Sequence, residues 1–341
     1  MRNGIKYAIL LFAIMVGFIC HPVSGQDLTS IQQGTRKDTL VRIDNNDAVA
    51  LSIIKGKFDG PVFTIVAGIH GFEYPPIMAV QELLKKVDPD KLHGTLLVLP
   101  MANEAAFYER SVFVNPTDDK NLNRAFPGNA TGSITERIAH WISQKVIPIS
   151  DVFLDIHGGD ASEDLLPFVC YYHRADKPDQ VAQAHRLTEA ANFEYNVIYP
   201  YHLSPDDMSE YAFKEAVQQG KTALSIEAGK LGNVQPEMVA MITSGVLNML
   251  NKMDMYPYEN DKRVNQKWLR EQVYIKCPAT GIFYSDFRSG DKIKKGQVLG
   301  YITNVFGKKL DEVRAPSSGI VLYKIGTPPA NKGETLFCIG K

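Results

Sequence analysis

The sequence predicts an α/β protein: a largely parallel β-sheet flanked by helices, followed by a small all-β domain. Continuous apolar, β-rich runs alternate with helical segments between residues 62 and 251, as in βαβ units, which build parallel sheets. The segment 252–272 is polar and aperiodic, which indicates a connection. Residues 273–341 then contain short β-type runs broken by Gly and Pro, and this pattern is typical of a small β-domain.

The first half of the chain predicts three strands. Residues 62–67 and 95–99 are apolar runs of the kind that forms strands buried on both faces, and 76–87 between them has apolar residues at helical spacing. A capping-box sequence at residue 133 opens a helix that runs to about residue 146. The third strand is predicted at 152–156.

The second half continues the alternation. Residues 178–192 and 236–251 are predicted to be helices, and 222–226 between them is predicted to be a fourth strand. Each predicted strand is followed by a helix or by a loop rich in Gly, Asn and Pro, so that functional groups are expected at the carboxyl ends of the strands.

Residues 1–25 have the layout of a secretory signal peptide. Arg2 and Lys6 form a positive start, residues 7–20 are almost wholly apolar, and small residues precede Gln26. The apolar run is shorter than the about 20 residues that a spanning helix needs, so cleavage is expected rather than anchoring, with lipoprotein processing at Cys20 as the alternative. The sequence therefore predicts a periplasmic or extracellular protein without a membrane partner.

Charge and cysteine usage exclude several classes of function. The 341 residues carry 37 basic and 38 acidic side chains, and this balance disfavours nucleic acid as a partner. Beyond Cys20 the cysteines are odd in number, far apart and lack CxxC spacing, so a disulfide framework and a thiolate metal site are not expected. We expect buried free thiols.

The strongest local signal is GIHGFE at residues 68–73, where the first buried strand ends and its helix begins. His70 and Glu73 lie three residues apart on a tight turn and can point at one ion. Zinc takes imidazole nitrogen and carboxylate oxygen, and catalytic sites commonly use two His and one Glu. The alternative is a structural His in a strand-to-helix turn.

Two further strand ends carry groups of the same chemistry. DIHGG at 155–159 places His157 at a strand end, with Asp155 on the same strand face, where it can orient a ligand. SIEAG at 225–229 places Glu227 after an apolar run, where a buried carboxylate needs a role or an ion-pair partner. Three parallel strands would bring these residues and His70 to one rim of the sheet.

The loop NLNRAFPG at 121–128 offers a binding site for a carboxylate. The guanidinium of Arg124 can bind a substrate carboxylate bidentately, and the amide of Asn123 adds a donor. The alternative is a structural ion pair between Arg124 and Asp118 or Asp119.

These four motifs, in this order, resemble the zinc carboxypeptidase superfamily, and most closely its succinylglutamate desuccinylase/aspartoacylase branch. The resemblance covers about residues 48–341. It implies a mixed sheet flanked by helices, a β-domain near the site, and one Zn²⁺ per chain. The resemblance implies these site residues: His70, Glu73 and His157 as zinc ligands, Glu227 as general base, and Asn123 with Arg124 as the carboxylate-binding pair.

The chain departs from the family pattern in one position. The family has a second Arg that polarises the scissile carbonyl, and many relatives place it where this chain has Val112 and Phe113. Arg110 is the nearest candidate for that catalytic role, and a surface Arg is the alternative. Members of this branch are cytoplasmic, so the predicted export also separates this chain from their substrates.

Residues 290–300 and 315–321 resemble the barrel of biotinyl and lipoyl carriers, with Lys308 near the position that carries their cofactor. The neighbours of Lys308 lack the acidic and methionine residues of a carrier site, so we expect an unmodified, solvated hairpin.

Together these observations predict a signal peptide at 1–25, a catalytic domain at 26–255 and a β-domain at 256–341. The predicted function is a secreted zinc-dependent hydrolase that cleaves an amide bond in a small N-acyl amino acid or short peptide bearing a free carboxylate. The alternatives are a non-catalytic zinc protein that binds carboxylate ligands, and an esterase with the same site. Pure binding does not require Glu227, and this favours the enzyme.

Overall fold

The computed structural model describes residue 28 and residues 30–44, 47–260 and 263–341. The predicted signal peptide and Cys20 lie outside the described residues. None of the helices in the described part of the chain is both long and apolar enough to cross a membrane.

The strands, in chain order, are β1 (Thr35–Arg42), β2 (Ala48–Lys55), β3 (Phe58–Ala67), β4 (His93–Leu99), β5 (Val114–Asn115), β6 (Lys120–Asn121), β7 (Val152–His157), β8 (Glu163–Leu165), β9 (Phe168–His173), β10 (Tyr195–Pro200), β11 (Thr222–Glu227), β12 (Lys267–Leu269), β13 (Gln272–Lys276), β14 (Gly281–Tyr284), β15 (Lys292–Ile293), β16 (Val298–Thr303), β17 (Lys309–Arg314), β18 (Gly319–Ile325), β19 (Pro329–Ala330) and β20 (Thr335–Gly340). The α-helices are α1 (Tyr74–Lys86), α2 (Glu104–Tyr108), α3 (Ile134–Trp141), α4 (Pro178–Ala191), α5 (Ala212–Gln218) and α6 (Pro236–Lys252).

A nine-stranded mixed sheet in the order β1-β2-β4-β3-β7-β11-β9-β10-β12 is the frame of the molecule. Its centre, β4-β3-β7-β11, is parallel, and β1, β2 and β4 are joined antiparallel at one side. β11 and β9 are antiparallel, and β9, β10 and β12 are parallel to one another. The predicted mixed, largely parallel sheet is confirmed.

The four predicted strands and the predicted helices at 76–87, 178–192 and 236–251 match β3, β4, β7, β11, α1, α4 and α6 to within a few residues. The helix predicted at 133–146 begins with the capping contact, in which the Ser133 backbone N–H donates to the Glu136 carboxylate at 2.9 Å. Its α-helical part ends at Trp141, and a π-helical turn at Ile142–Val146 completes it before Pro148.

Helices cover both faces of this sheet. α1, α4 and α6 pack on one face over a core that includes Leu83, Leu187 and Leu250. α3 and α5 pack on the other face, where Ile138 and Ala216 belong to a second core cluster. Because the central strands are buried on both sides, the space left for a site is the rim at the carboxyl ends of the strands.

The C-terminal β-strands form two antiparallel sheets, β13-β20-β18-β15 and β17-β16-β14-β19, which pack around a core of their own. β12 lies beyond residue 256 but pairs with β10 of the large sheet. Conversely, β8 comes from the first part of the chain but pairs with β18. Leu322 and Cys338 join the core of the large sheet, so the β-strand region packs directly on it.

Candidate active site

The site lies where β3, β7 and β11 end side by side. Glu227, the last residue of β11, is paired in register with His157, the last residue of β7, and Ala67 of β3 pairs with Ile156. Gly68 then turns the chain with a φ of 66°, a conformation that suits glycine, and leads to His70. The convergence of three strand ends that the sequence predicts is present in the fold.

His70, Glu73 and His157 form a buried cluster. The Glu73 carboxylate lies between the two imidazoles, with one oxygen 2.6 Å from His70 Nδ1 and the other 2.9 Å from His157 Nδ1. One ligand atom from each residue lies within 4.8 Å of the other two, so these three residues could hold a metal ion.

The second nitrogen of each imidazole faces a side-chain oxygen. His70 Nε2 lies 3.1 Å from Asn121 Oδ1, and His157 Nε2 lies 3.1 Å from Asp155 Oδ1, the latter without hydrogen-bond alignment. An acceptor beside Nε2 favours a proton on that atom and leaves the lone pair on Nδ1, facing the cluster. The sequence predicted Asp155 in this role but not Asn121.

The charges of this cluster are strongly coupled. Burial by itself would raise the pKa of Glu73, but the two imidazoles outweigh burial and lower that pKa to about 2. Burial acts to lower the pKa of His157, and the Asp155 and Glu73 carboxylates raise it well above its ordinary value. Two imidazole nitrogens and one carboxylate, oriented inward and shielded from bulk water, are a donor set that fits zinc.

Glu227 lies beside this cluster and lines the same cavity. Burial raises the pKa of Glu227 to about 8, with the Glu73 and Asp155 carboxylates adding to the rise and His157 opposing it. A carboxylate with a pKa near neutrality is well placed to take and return a proton at neutral pH.

The cavity in front of these residues has a volume of about 310 Å³. Its far wall is aromatic and comes from segments that are distant in sequence. The members of that wall are Phe168, Tyr172, Tyr199, Tyr211, Phe213, Tyr274 and Tyr323. The last two belong to β13 and β18, so the C-terminal sheets close the cavity, as the family resemblance implied.

Asn123 and Arg124 line the cavity as well. Asn123 is buried, and its side-chain oxygen accepts a hydrogen bond from the Ala212 backbone N–H at 3.2 Å, so the NH₂ group remains as a donor. Arg124 is exposed and its guanidinium lies 4.6 Å from the centre of the Tyr211 ring, at the mouth of the cavity. Neither Asp118 nor Asp119 pairs with it; Asp118 instead accepts from Thr135.

The structure does not bring Arg110 to the site. Arg110 is exposed in the turn after α2, with a φ of 55°, and is not among the residues that line the cavity. Phe113 takes up this part of the wall, with its ring edge-on to His70 at 5.7 Å between centroids. The carbonyl-polarising role predicted for Arg110 has no geometric support.

Glu163 is the principal cavity residue that the sequence analysis did not identify. Burial raises its pKa well above the ordinary value, and the carboxylates of Asp160, Glu227 and Glu73 add to the rise, while His157 opposes it. It lies in the short polar segment ASEDL at 161–165, which carries no recognisable motif in the sequence. Only its position in the fold reveals it.

Two smaller expectations concern Cys and Lys residues. Cys170, Cys277 and Cys338 are buried free thiols, as predicted. Lys308 lies in the exposed turn between β16 and β17, away from the cavity, and its backbone N–H donates to Asn304 Oδ1 at 3.0 Å.

Residues 59–253 match the model of the succinylglutamate desuccinylase/aspartoacylase catalytic domain. The chain belongs to the succinylglutamate desuccinylase/aspartoacylase family. The matched segment contains all four motifs and the whole strand-end cluster. Membership in this family supports a hydrolase.

Similar proteins extend the likeness to the whole chain. A curated N-alpha-acetyl-L-2,4-diaminobutyric acid deacetylase from Halomonas elongata is 28% identical over 300 residues, which is 86% of this chain and 85% of that protein. A succinylglutamate desuccinylase/aspartoacylase structure from Rhodobacter sphaeroides superimposes with a TM-score of 0.80 at 22% identity, covering 92% of this chain and 98% of that one. The product-bound structure of an ectoine utilization protein from Ruegeria pomeroyi superimposes with a TM-score of 0.80 at 23% identity, covering 91% of this chain and 97% of that one. At these identities the structural matches establish the fold.

Proposed function

We propose that this protein is a zinc-dependent hydrolase that cleaves the amide bond of a small N-acyl amino acid, or of a short peptide, that carries a free carboxylate. The observation that carries the proposal is the pairing of two functions on adjacent strand ends. β7 presents the ligand His157, and β11 presents the carboxylate of Glu227 directly beside it.

His70, Glu73 and His157 would hold the zinc. A zinc ion in this position would supply a Lewis acid that polarises a carbonyl and lowers the pKa of water. The protein's own contribution is to fix the ligands. Asn121 and Asp155 orient the two imidazoles, and the burial of all three ligands keeps them apart from bulk water.

Glu227 moves the proton in the proposed reaction. Its carboxylate accepts a proton from the attacking water and delivers it to the leaving nitrogen, so that the amine departs uncharged. A buried position favours the protonated form after the first transfer, and the neighbouring Glu73 and Asp155 strengthen that preference.

Arg124 and Asn123 hold the substrate's carboxylate. The guanidinium of Arg124 can form two parallel hydrogen bonds with it at the mouth of the cavity, and the Asn123 NH₂ group adds a third donor. The guanidinium of Arg124 lies over the aromatic ring of Tyr211, and this contact restricts it to this side of the cavity.

The Halomonas relative supports the substrate class. That protein is a deacetylase of an N-acetylated amino acid, and the similarity runs through 86% of this chain. A cavity of about 310 Å³ also suits a small acylated amino acid or a very short peptide.

The test is a release assay with purified, zinc-loaded protein against a panel of N-acyl amino acids, short peptides and the corresponding esters. We expect amine release from at least one amide, loss of activity with a chelator and recovery with zinc. If the protein cleaves the esters but none of the amides, it is an esterase and the proposal is wrong. If calorimetry shows that the protein binds carboxylate ligands but no substrate is cleaved, it is a non-catalytic binding protein.

We also propose that the protein is exported, on the basis of Arg2, Lys6 and the apolar run that follows. The test is cell fractionation with N-terminal sequencing of the mature protein. A mature N-terminus near Gln26 in the exported fraction supports the proposal, and a mature N-terminus at an acylated Cys20 indicates a lipoprotein. Protein that keeps residue 1 in the cytoplasm contradicts export.

A further inference from the structure

The hairpin between β16 and β17 ends in an apolar tip that the fold does not use. Val305 and Phe306 are 80% and 90% exposed, and among the described residues they are the most exposed of the large apolar side chains. Neither belongs to the core of the C-terminal sheets. A single exposed apolar side chain is common on a protein surface, but two adjacent ones at the outermost positions of a turn indicate a contact with something outside the molecule.

The turn that carries these side chains is held by hydrogen bonds of its own. Asn304 Oδ1 accepts from the backbone N–H groups of Phe306 and Lys308, both at 3.0 Å. The Asn304 N–H donates to the Lys308 carbonyl and the Gly307 N–H donates to the Asn304 carbonyl, again at 3.0 Å. Gly307 has a φ of 78°, a conformation that suits glycine. The tip is therefore presented in one conformation, so little entropy is lost when it binds.

Two other segments lie at the same end of this sheet. The end of β16 pairs with the start of β14, and the start of β14 pairs with the end of β19. The segment 276–280, which leads into β14, and the segment 331–334, which follows β19, therefore lie beside the tip. A hydrogen bond joins these two segments directly, from the Lys332 N–H to the Thr280 hydroxyl at 3.0 Å.

This end of the sheet is positively charged. The segments 276–280, 304–309 and 331–334 contain four lysines and one acidic residue, which are Lys276, Lys308, Lys309, Lys332 and Glu334. On β17 itself, Lys309 and Arg314 both pair with Glu312. Asp311 is the remaining carboxylate of that strand, so the basic side chains outnumber the acidic ones. The balanced charge of the whole chain does not reveal this surface, because the lysines come together only through strand pairing.

An apolar tip with ammonium groups behind it is complementary to the surface of an anionic bilayer. Apolar side chains enter the boundary between headgroups and acyl chains to a depth of about 5–10 Å, and lysines near the surface are attracted by anionic lipids. Long lysine side chains reach the phosphates while their stems stay beside the apolar region. The lysines are spread over three segments, which suits a broad anionic surface better than a single acidic group. The convex tip offers no enclosure for a small ligand.

We propose that this end of the C-terminal sheets is a docking surface for an anionic lipid bilayer. Val305 and Phe306 would enter the interfacial region, and the four lysines would contact the lipid phosphates. Binding would be peripheral and reversible, because two apolar side chains contribute far less than a spanning helix. The sequence analysis predicts no membrane partner, so this contact is a property that only the fold reveals. It is independent of the reaction proposed for the cavity.

The test is co-sedimentation with vesicles of phosphatidylglycerol and phosphatidylcholine in equal parts, compared with vesicles of phosphatidylcholine alone. The protein starts at Gln26, because the apolar run of residues 7–20 would itself bind lipid, and this form contains every residue that the structure describes. We expect wild type to bind the anionic vesicles, and to bind the neutral ones about tenfold or more weakly. Added salt should weaken binding to the anionic vesicles, because it screens the lysines.

Two substitutions with matched controls separate the apolar and the charged contributions. Phe306→Ser should lower the partition coefficient on anionic vesicles by about 10- to 100-fold, the effect of burying one large apolar side chain. Tyr284→Ser removes an exposed ring from the same sheet away from the tip and should bind like wild type. Lys308→Glu should weaken binding to anionic vesicles by about fivefold or more, whereas Lys37→Glu, exposed on β1, should not.

Phe306→Trp reports insertion directly. The indole should emit at shorter wavelength when anionic vesicles are added, and lipids brominated on their acyl chains should quench it. Wild type, which contains only Trp141 and Trp268, should show neither change. Melting curves and hydrolysis rates of all variants should match those of wild type, because the substituted side chains are exposed and lie outside the cavity lining.

The proposal is wrong if wild type does not bind anionic vesicles, or if Phe306→Ser binds them as tightly as wild type does. Equal binding to neutral and anionic vesicles would exclude the role of the lysines and overturn it as well. Sedimentation velocity without lipid tests the other occupant, a second copy of this chain. If wild type self-associates and Phe306→Ser does not, the tip is a contact between copies and the bilayer proposal is overturned.

Discussion

The two sides of the cavity are built in different ways. On the strand-end side, His70, Glu73, His157 and Glu227 come from three neighbouring parallel strands, each from a short motif at its carboxyl end. On the opposite side, the wall combines β8, β9, β10, β13 and β18, and two of these strands belong to the C-terminal sheets. The chemistry of the site is encoded locally, whereas its shape depends on long-range packing.

This difference predicts that substitutions on the two sides have different effects. Changes at the strand ends should remove metal or turnover for every substrate, because those groups act on the amide bond itself. Changes on the opposite wall should alter which substrate is preferred, because those groups contact the parts of the substrate that do not react.

The largest effect is expected for His157→Ala. This change removes one ligand nitrogen and leaves Glu73 and Asp155 without the imidazole that lies between them. We therefore expect the metal content to fall from about one ion per chain to near zero, and all measurable turnover to be lost. Elemental analysis and the release assay measure both. His202→Ala, in an exposed loop, is the matched control and should keep its metal. Equal zinc in the two variants would contradict the ligand assignment.

Glu227→Gln should keep the metal and the fold but reduce kcat by about 10²- to 10⁴-fold, the usual contribution of a positioned general base. The amide retains the shape of the carboxylate but cannot accept the proton from water. Metal content, a melting curve and kcat together check the expectation. Glu237→Gln, exposed in the first turn of α6, is the control. Near-normal turnover in Glu227→Gln would mean that another group is the base.

The strand-end side could be predicted from the sequence because periodicity and motif coincide there. An apolar run of about six residues followed by His or Glu and glycines defines both the strand and the place of the functional group, and the parallel order of β3, β7 and β11 then brings the groups together. Asn123 and Arg124 were predicted on a different ground, as neighbours in one loop motif whose guanidinium and amide suit a carboxylate.

The opposite wall could not be predicted in this way. Glu163 faces the cavity only because β8 pairs with β18, more than 150 positions further along the chain, and nothing near Glu163 encodes that pairing. Tyr172 and Tyr199 have the same pattern as core residues, and they line the cavity because β9 and β10 are neighbours in the sheet. Arg110 shows the opposite error, since closeness in sequence to the motif did not place it at the site.

Arg124→Ala tests the carboxylate anchor at the mouth, where the two sides meet. We expect KM for carboxylate substrates to rise by about 10- to 100-fold, since a charge-assisted contact is lost, and Arg124→Lys to recover only part of it because an ammonium lacks the planar fork. Amidating the substrate's carboxylate should harm wild type far more than Arg124→Ala. If wild type cleaves both forms equally well, Arg124 is not the anchor, although the hydrolysis itself would stand.

The smallest effect is expected on the far wall, at Tyr274 of β13. This side chain contributes to the cavity lining but remains 47% exposed, so replacing it with alanine should widen the cavity without opening the core of the C-terminal sheets. Substrates with larger acyl groups or side chains should then gain a few-fold in kcat/KM relative to small ones. This is less than the about tenfold effect of one methylene in a closed pocket.

Tyr284→Ala is the control. It removes a tyrosine of similar exposure on β14 that does not line the cavity, and it should leave the ratio of kcat/KM for large and small substrates unchanged. The measurement is kcat/KM for a series of substrates of increasing length, relative to the smallest one, in variants whose metal content equals that of wild type. An equal loss of activity across the series in Tyr274→Ala would show that this wall supports the reacting groups rather than selecting the substrate.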